Sequence, residues 1–188
     1  MTTGTAVAEE LPIRGVPMGV DLSQDQRAEM VGRWYERIVD RYPAETSRFL
    51  REQRDPFANP VGAALREEVV PIVDGVCSGV DTAELEPALD RIIRVRAVQD
   101  MTPSEAVGFV LDLKDVFESV AVGASDGDRQ DFDRRIDSLL LAAFNVYSRC
   151  RQQVYDIRVK EIRNRSLKVM ERLNTWREER AGGPRSEA

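Results

Sequence analysis

The chain has 188 residues, of which 42% are hydrophobic and 32% are charged, and its formal net charge is −6. This length suits one domain with an extension, and the hydrophobic content is sufficient for a buried core. The sequence contains no histidine, which excludes His-ligated haem, a phosphorylated histidine, HExxH metal sites and every catalytic triad or dyad with a histidine base. The two cysteines, Cys77 and Cys150, lack metal-ligand spacing and predict buried free thiols in a reducing compartment.

The N-terminal residues 1–20 are rich in Thr, Ala, Gly and Pro and show no hydrophobic period, which predicts a disordered arm. They lack the basic and apolar regions of a signal peptide. No stretch reaches the ~18–20 apolar residues of a membrane span. We therefore expect a cytoplasmic location without membrane insertion.

Helices are predicted along the rest of the chain, because apolar residues recur at steps of three and four. Capping residues, or a proline in the first turn, mark four helix starts at Ser23 with Gln26, Pro60, Asp81, and Thr102 with Pro103. A short helix is expected over Ala44–Glu52. The helix after Pro103 is predicted to be continuous as far as Val120, since its apolar residues alternate at steps of four and three.

The last predicted helix runs from about Asp128 to Arg180 without a proline or a glycine. Its apolar stripe consists of Phe132, Ile136, Leu139, Ala143, Tyr147, Cys150, Val154 and Ile157. Beyond Ile157 the stripe thins and the surroundings become basic. At 1.5 Å per residue, the helix would span roughly 75 Å, which exceeds the width of a compact domain of this size. We expect its first half to lie in the core and its second half to leave the body.

Charge is distributed unevenly between these two parts. Residues 1–148 hold 16 Lys/Arg and 27 Asp/Glu, for a net charge of −11, whereas residues 149–188 hold 11 and 6, for +5. An acidic body argues against nucleic-acid binding. The basic extension is suited to an acidic partner or to the body of another copy.

Three stretches in order, RDPFANPVGAALREEVVPIVDGV, LDRIIRVRAVQDMTPSEAVGFVLDLKDVF and YSRCRQQVYDIRVKEIRNR, carry a family resemblance. From about Arg33 to Arg165, the chain resembles the N-terminal domain family named after the RsbT co-antagonist RsbRD. The resemblance implies a helical regulatory or sensory input module, which in the name-giving protein precedes a phosphorylatable STAS domain in a stress-signalling assembly. Other members precede sensor kinases, and short stand-alone members are encoded near the electron-transfer complex of dissimilatory sulfite reduction. We expect a stand-alone member that lacks a STAS or kinase output domain, and the family supplies no catalytic residues to transfer.

The predicted fold is all-α, a bundle of about five to six helices with a long C-terminal helix that extends from the body. The predicted division is a disordered arm (1–20), an RsbRD N-terminal-like domain (21–158), a basic helical extension (159–180) and a disordered tail (181–188). We expect a non-enzymatic cytoplasmic regulatory or sensory module, or adaptor, that acts through protein–protein interaction and relays a signal through the long helix. The alternative is a structural accessory protein of a redox complex of the dissimilatory sulfite reduction type. Expected partners are proteins, including a second copy in a homodimer, and we expect no nucleic acid, cofactor or metal.

Ten residues are candidates for an interaction or ligand site, namely Phe57, Asn59, Pro60, Arg94, Arg96, Gln99, Asp100, Tyr155, Arg158 and Glu161. They lie in a loop and a turn of irregular backbone, in a basic cluster within the acidic body, and on one face of the long helix. The alternatives are turn and cap chemistry for the loop and turn, salt bridges for the arginines, and a solvated face for the helix residues.

Overall fold

The computed structural model describes residues 19–99 and 101–181, with side chains as far as Arg177. The helices in chain order are α1 (Gln24–Asp40), α2 (Ala44–Glu52), α3 (Pro60–Ser78), α4 (Thr82–Ala97), α5 (Pro103–Val107), a 3-10 turn (Gly108–Val110), α6 (Asp112–Val120) and α7 (Asp126–Ala181). These described residues contain no strand. The predicted all-α fold with a long C-terminal helix is therefore confirmed.

The predicted helix starts are confirmed by their capping hydrogen bonds. Ser23 Oγ accepts from Gln26 N at 3.2 Å, and the Gln26 side chain accepts from Ser23 N at 3.0 Å. Thr102 and Glu105 form the same reciprocal capping box at the start of α5, and Asp81 accepts from a backbone amide in the first turn of α4. These contacts satisfy amides that have no partner within the helix.

The helix predicted over 103–120 is not continuous, and this expectation was wrong. The 3-10 turn separates α5 from α6, and carbonyls at the break accept hydrogen bonds from other helices. Trp34 Nε1 donates to the Phe109 carbonyl at 2.8 Å, and Arg41 Nη2 donates to the Gly108 carbonyl at 3.3 Å. Apolar spacing continues across the break, so periodicity alone could not reveal these distant donors.

The core is built around the first half of α7, which packs chiefly against α4. The buried side chains of α7 are Phe132, Ile136, Leu139, Ala143, Val146, Tyr147 and Cys150. Phe132 stacks on Phe117 of α6 with ring centroids 4.0 Å apart. Full burial of a large apolar side chain contributes about 1.5–3 kcal/mol, so this stripe holds α7 firmly to the body. The stripe is shorter than predicted, because Val154 is half-buried and Ile157 is exposed.

Residues 1–18 and 182–188 lie outside the described residues, and with them most of the predicted arm and tail. Gly19 and Val20, which the sequence assigned to the arm, pack against the end of α3. Val20 is buried and its backbone amide donates to the Cys77 carbonyl at 2.8 Å. A Cβ atom at Gly19 would lie 2.4 Å from the same oxygen, so glycine allows the close approach.

Two glycine-to-alanine substitutions should have opposite effects on stability. A methyl group at Gly62 would lie 2.3 Å from Asn59 Nδ2 and would displace the side chain that caps α3. We expect Gly62→Ala to lower the free energy of unfolding by about 1–3 kcal/mol. Gly32 in α1 has open space around it, and Gly32→Ala should raise that free energy by about 0.5–1 kcal/mol. Urea denaturation measures both, and a Gly62→Ala chain as stable as the wild type would contradict this account of the cap.

Candidate functional site

Asn59, a candidate from the loop before α3, joins the ends of two helices. Its Oδ1 accepts from Gly62 N at 2.8 Å, and its Nδ2 donates to the carbonyls of Leu50 at 3.3 Å and Gln53 at 2.9 Å. The side chain is 1% exposed, and Pro60 occupies the first position of α3. Asn59 therefore caps the start of α3 and the end of α2 at once, which is the turn and cap chemistry of the alternative interpretation.

Arg96, a candidate from the basic cluster, is also 1% exposed. Its Nε donates to the Ala106 carbonyl at 3.0 Å, its Nη2 to the Glu105 carbonyl at 3.0 Å and its Nη1 to the Tyr42 hydroxyl at 3.2 Å. The guanidinium carbon lies 5.2 Å from the ring centroids of both Tyr42 and Phe109. Burial lowers the pKa of Arg96. Carbonyls and aromatic faces thus compensate the buried charge of Arg96. Its guanidinium caps the C-terminal end of the short helix α5 by donating to two of the carbonyls there.

The other candidates in the body have separate environments. Arg94 is exposed and pairs with Asp90 one turn earlier at 2.8 Å, and this contact raises the pKa of Arg94. Phe57 is 95% exposed in its loop. The Oε1 atom of Gln99 is buried and has no hydrogen-bond partner among the described residues, and Asp100 lies outside them. No hydrogen bond or ion pair within the described part of the chain joins these candidates into one site.

The part of α7 beyond the body forms a long exposed surface. From Tyr155 to Arg177, which we call the extension, every side chain is exposed. Its large apolar residues are Tyr155, Ile157, Val159, Ile162, Leu167, Val169, Met170, Leu173 and Trp176. Exposed apolar surface on this scale is typical of an interaction site.

Seven positions of the extension, which we call the seam, alternate at steps of four and three residues. The seam consists of Tyr155, Val159, Ile162, Ser166, Val169, Leu173 and Trp176. Six of these residues are apolar, and the mean step of 3.5 residues is the period of a left-handed coiled coil. The sequence prediction treated the apolar residues beyond Ile157, four of which belong to the seam, as a thinning continuation of the buried stripe. The seam is two residues out of phase with that stripe, or about 200° around the helix axis, and therefore faces a different direction.

The three candidates on the extension occupy different positions relative to the seam. Tyr155 begins the seam, Arg158 lies at its edge and Glu161 lies further round the helix. Arg151 anchors the helix just before the seam. Its Nη1 donates to the Ala97 carbonyl at 3.1 Å, and its guanidinium carbon lies 5.3 Å from the Tyr155 ring centroid. The start of the seam is thereby attached to the end of α4.

The sequence matches the family described as "RsbT co-antagonist protein rsbRD N-terminal domain" over residues 28–161. This chain belongs to that family. The RsbRD N-terminal domain implies a regulatory module of stress signalling, and the family is regulatory rather than catalytic. An uncharacterized protein of Archaeoglobus fulgidus is 26% identical over 150 residues, which cover 78% of this chain and 91% of that protein. No solved structure matches significantly.

The stretches that carry the family resemblance have structural roles in this RsbRD N-terminal domain. FANPVG contains the Asn59 cap, TPSE forms the capping box of α5, and YDIRVKEIR begins the extension. The matched range ends at Glu161, so most of the seam lies beyond it. Within the described residues, no helix is long and apolar enough to span a membrane, and no cluster of three or more His, Cys, Asp or Glu side chains could hold a metal ion.

Replacement of Arg96 should test its structural role. Arg96→Met keeps much of the contact with the aromatic rings but leaves buried carbonyls and a hydroxyl without a donor. We expect a loss of about 2–4 kcal/mol in the free energy of unfolding. Arg94→Met, the exposed control two residues earlier, should cost less than about 1 kcal/mol. Chemical denaturation of the two variants gives the comparison, and equal losses would show that burial of Arg96 has no special role.

The two cysteines are free and buried, as predicted. Burial raises the pKa of Cys77 to about 11, above the ordinary value of 9.0 that applies in the unfolded chain. The folded chain therefore holds the thiol proton more tightly than the unfolded chain does. This contribution to stability is complete below about pH 9 and is lost as the pH rises to about 11.

Urea unfolding at neutral and alkaline pH should detect this contribution of Cys77. Between pH 8.5 and pH 10.5, within about two units of the ordinary thiol pKa, the wild type should lose more stability than Cys77→Ala does. Cys77→Ala also creates a cavity, so the comparison concerns the change with pH and not the absolute stability. Parallel pH profiles for the two chains would contradict a raised pKa at Cys77.

Proposed function

We propose that this chain is a cytoplasmic regulatory module of stress signalling that acts through protein–protein contacts, with α7 as its output element. The observation that carries the proposal is the seam, an apolar surface on an exposed continuation of a core helix. Family membership supports the regulatory role. The composition of the extension supports contact with another protein, because its large apolar side chains are exposed.

The continuity of α7 supports a relay from the body to the seam. The first half of α7 packs against α3, α4, α5, α6 and the 3-10 turn. A signal that changes the packing of these helices on α7 would rotate or shift the seam, since a hydrogen-bonded helix moves as a rigid element. The attachment of Arg151 to Ala97 couples this movement to the end of α4.

Stability arguments also favour a partner for the extension. An isolated helix of this length is marginal in water, and most helical stability in proteins comes from packing of an apolar face. The seam supplies such a face. The homodimer expected from the sequence stays a prediction. No observation in the described residues favours the alternative role in a redox complex.

A matched pair of double variants tests the proposed function in the cells that encode the protein. Ile162→Asp with Val169→Asp places two charges in the seam, whereas Ile157→Asp with Leu167→Asp places the same charges off the seam. Ile162 and Ile157 are similarly exposed, at 65% and 58%, so neither pair should disturb the body. We expect the seam pair to alter transcription under stress as deletion of the gene does, and the off-seam pair to behave as the wild type.

Thermal unfolding of both purified variants is the control for folding. A deletion strain with an unchanged transcriptional response to stress would contradict the regulatory role. A changed response in the deletion strain, together with a normal response in the seam variant, would instead show that output does not pass through α7.

A further inference from the structure

Arginines line both edges of the seam. One edge, at heptad position g, carries Arg158, Arg165 and Arg172, and the other edge, at position e, carries Asp156, Arg163, Met170 and Arg177. All seven side chains are exposed. Two arginine-rich edges on either side of an apolar stripe are the pattern of a coiled-coil strand that selects its partner by charge.

These arginines differ from most exposed arginines of the body in their pairing. Most of the exposed arginines of the body form ion pairs, for example Arg37 with Asp115 at 2.8 Å and Arg41 with Asp112 at 2.6 Å. In the side chains described as far as Arg177, none of the five arginines at the seam edges has an ion pair within the chain. The extension therefore offers both an exposed apolar stripe and arginines without an ion pair among the described side chains.

A second copy is a poor partner for the seam on grounds of charge. In a parallel pair, each g residue faces the e residue of the next heptad, so Arg158 faces Arg163 and Arg172 faces Arg177. In an antiparallel pair, g faces g, which again brings arginines together along that edge, whereas the e edge is mixed. Arg151 and Asp156 are the one complementary combination in a parallel pair, but Arg151 already donates to the Ala97 carbonyl. Like charges at these positions oppose pairing.

We propose that the seam binds an acidic amphipathic helix of another protein, whose apolar positions pack on the seam and whose flanking Asp and Glu residues pair with the arginines. The seam spans roughly 32 Å from Tyr155 to Trp176, which is long enough for three heptads of contact. Apolar contact would supply most of the affinity, and the arginines would supply specificity and rapid association. This inference rests on the proposed function, because it names the chemistry of the partner that the output surface recognises.

Two synthetic helical peptides test the chemistry of the partner with the full chain. Both carry Ile at position a and Leu at position d, while one carries Glu and the other Lys at every e and g position. In fluorescence anisotropy titrations, we expect the Glu peptide to bind on the order of 100-fold more tightly than the Lys peptide. This ratio should fall as salt is added, because exposed charge pairs are screened.

Variants of the chain then separate the contributions of the seam and of its edges. Ile162→Asp with Val169→Asp should abolish binding of the Glu peptide, and Ile157→Asp with Leu167→Asp should preserve it. Reversal of one edge by Arg158→Glu, Arg165→Glu and Arg172→Glu should weaken the Glu peptide and strengthen the Lys peptide. The reversed chain should also self-associate more tightly than the wild type in sedimentation equilibrium, since its glutamates would face Arg163 and Arg177 of another copy.

Equal binding of the two peptides would overturn the proposal. A wild-type dimer that the seam pair of substitutions disrupts and the off-seam pair preserves would also overturn it, because the occupant of the seam would then be a second copy. Failure of the Glu peptide to bind, with loss of the stress response in the seam variant, would refute the partner's chemistry and leave the proposed function standing. Peptide binding with a normal stress response in that variant would refute the proposed function instead.

Discussion

The packing of α7 against α4 is the contact on which the rest of the structure depends. Phe132, Ile136 and Leu139 place the first half of α7 in the core, and Arg151 attaches the helix to the end of α4 where burial ceases. Because the backbone hydrogen bonds of α7 continue without interruption, the orientation of the exposed half is determined by the packing of the buried half. A core helix that continues beyond its domain thus has two roles: its buried half forms part of the core, and its exposed half moves when the buried half moves.

Polar residues in the body form hydrogen bonds with the unpaired backbone groups at the ends of short helices. The carbonyls at the end of α2 accept from Asn59, and Arg66 Nη1 also donates to the Leu50 carbonyl at 3.0 Å. Arg96 likewise donates hydrogen bonds to the carbonyls at the end of α5. Short helices leave a large share of their backbone groups unpaired, and when these groups are buried they require donors from elsewhere in the chain. Polar side chains recruited for this purpose resemble a ligand site when only their sequence is read.

Charge divides the chain into two parts with different chemistry. Most exposed arginines of the acidic body form ion pairs with carboxylates, whereas the arginines that flank the seam do not among the described side chains. A row of positively charged side chains without ion pairs contributes little to folding. It strongly discriminates, however, between partners of opposite and like charge. The same residues that oppose pairing of two extensions therefore favour an acidic helix.

The sequence by itself determined the all-α class, the capping boxes at Ser23 and Thr102, and the length of the last helix. Each of these depends on residues three or four positions apart, so local spacing was sufficient. Only the tertiary structure decided that the helix after Pro103 breaks, that Asn59 and Arg96 form hydrogen bonds with the ends of helices, and that α7 leaves the body after Val154. These outcomes depend on hydrogen bonds and burial between residues far apart in the chain, such as Trp34 with Phe109, which no local pattern encodes. The heptad period of the seam and the departure of the second half of α7 from the body were both present in the sequence, but only the structure showed at which residue burial ends.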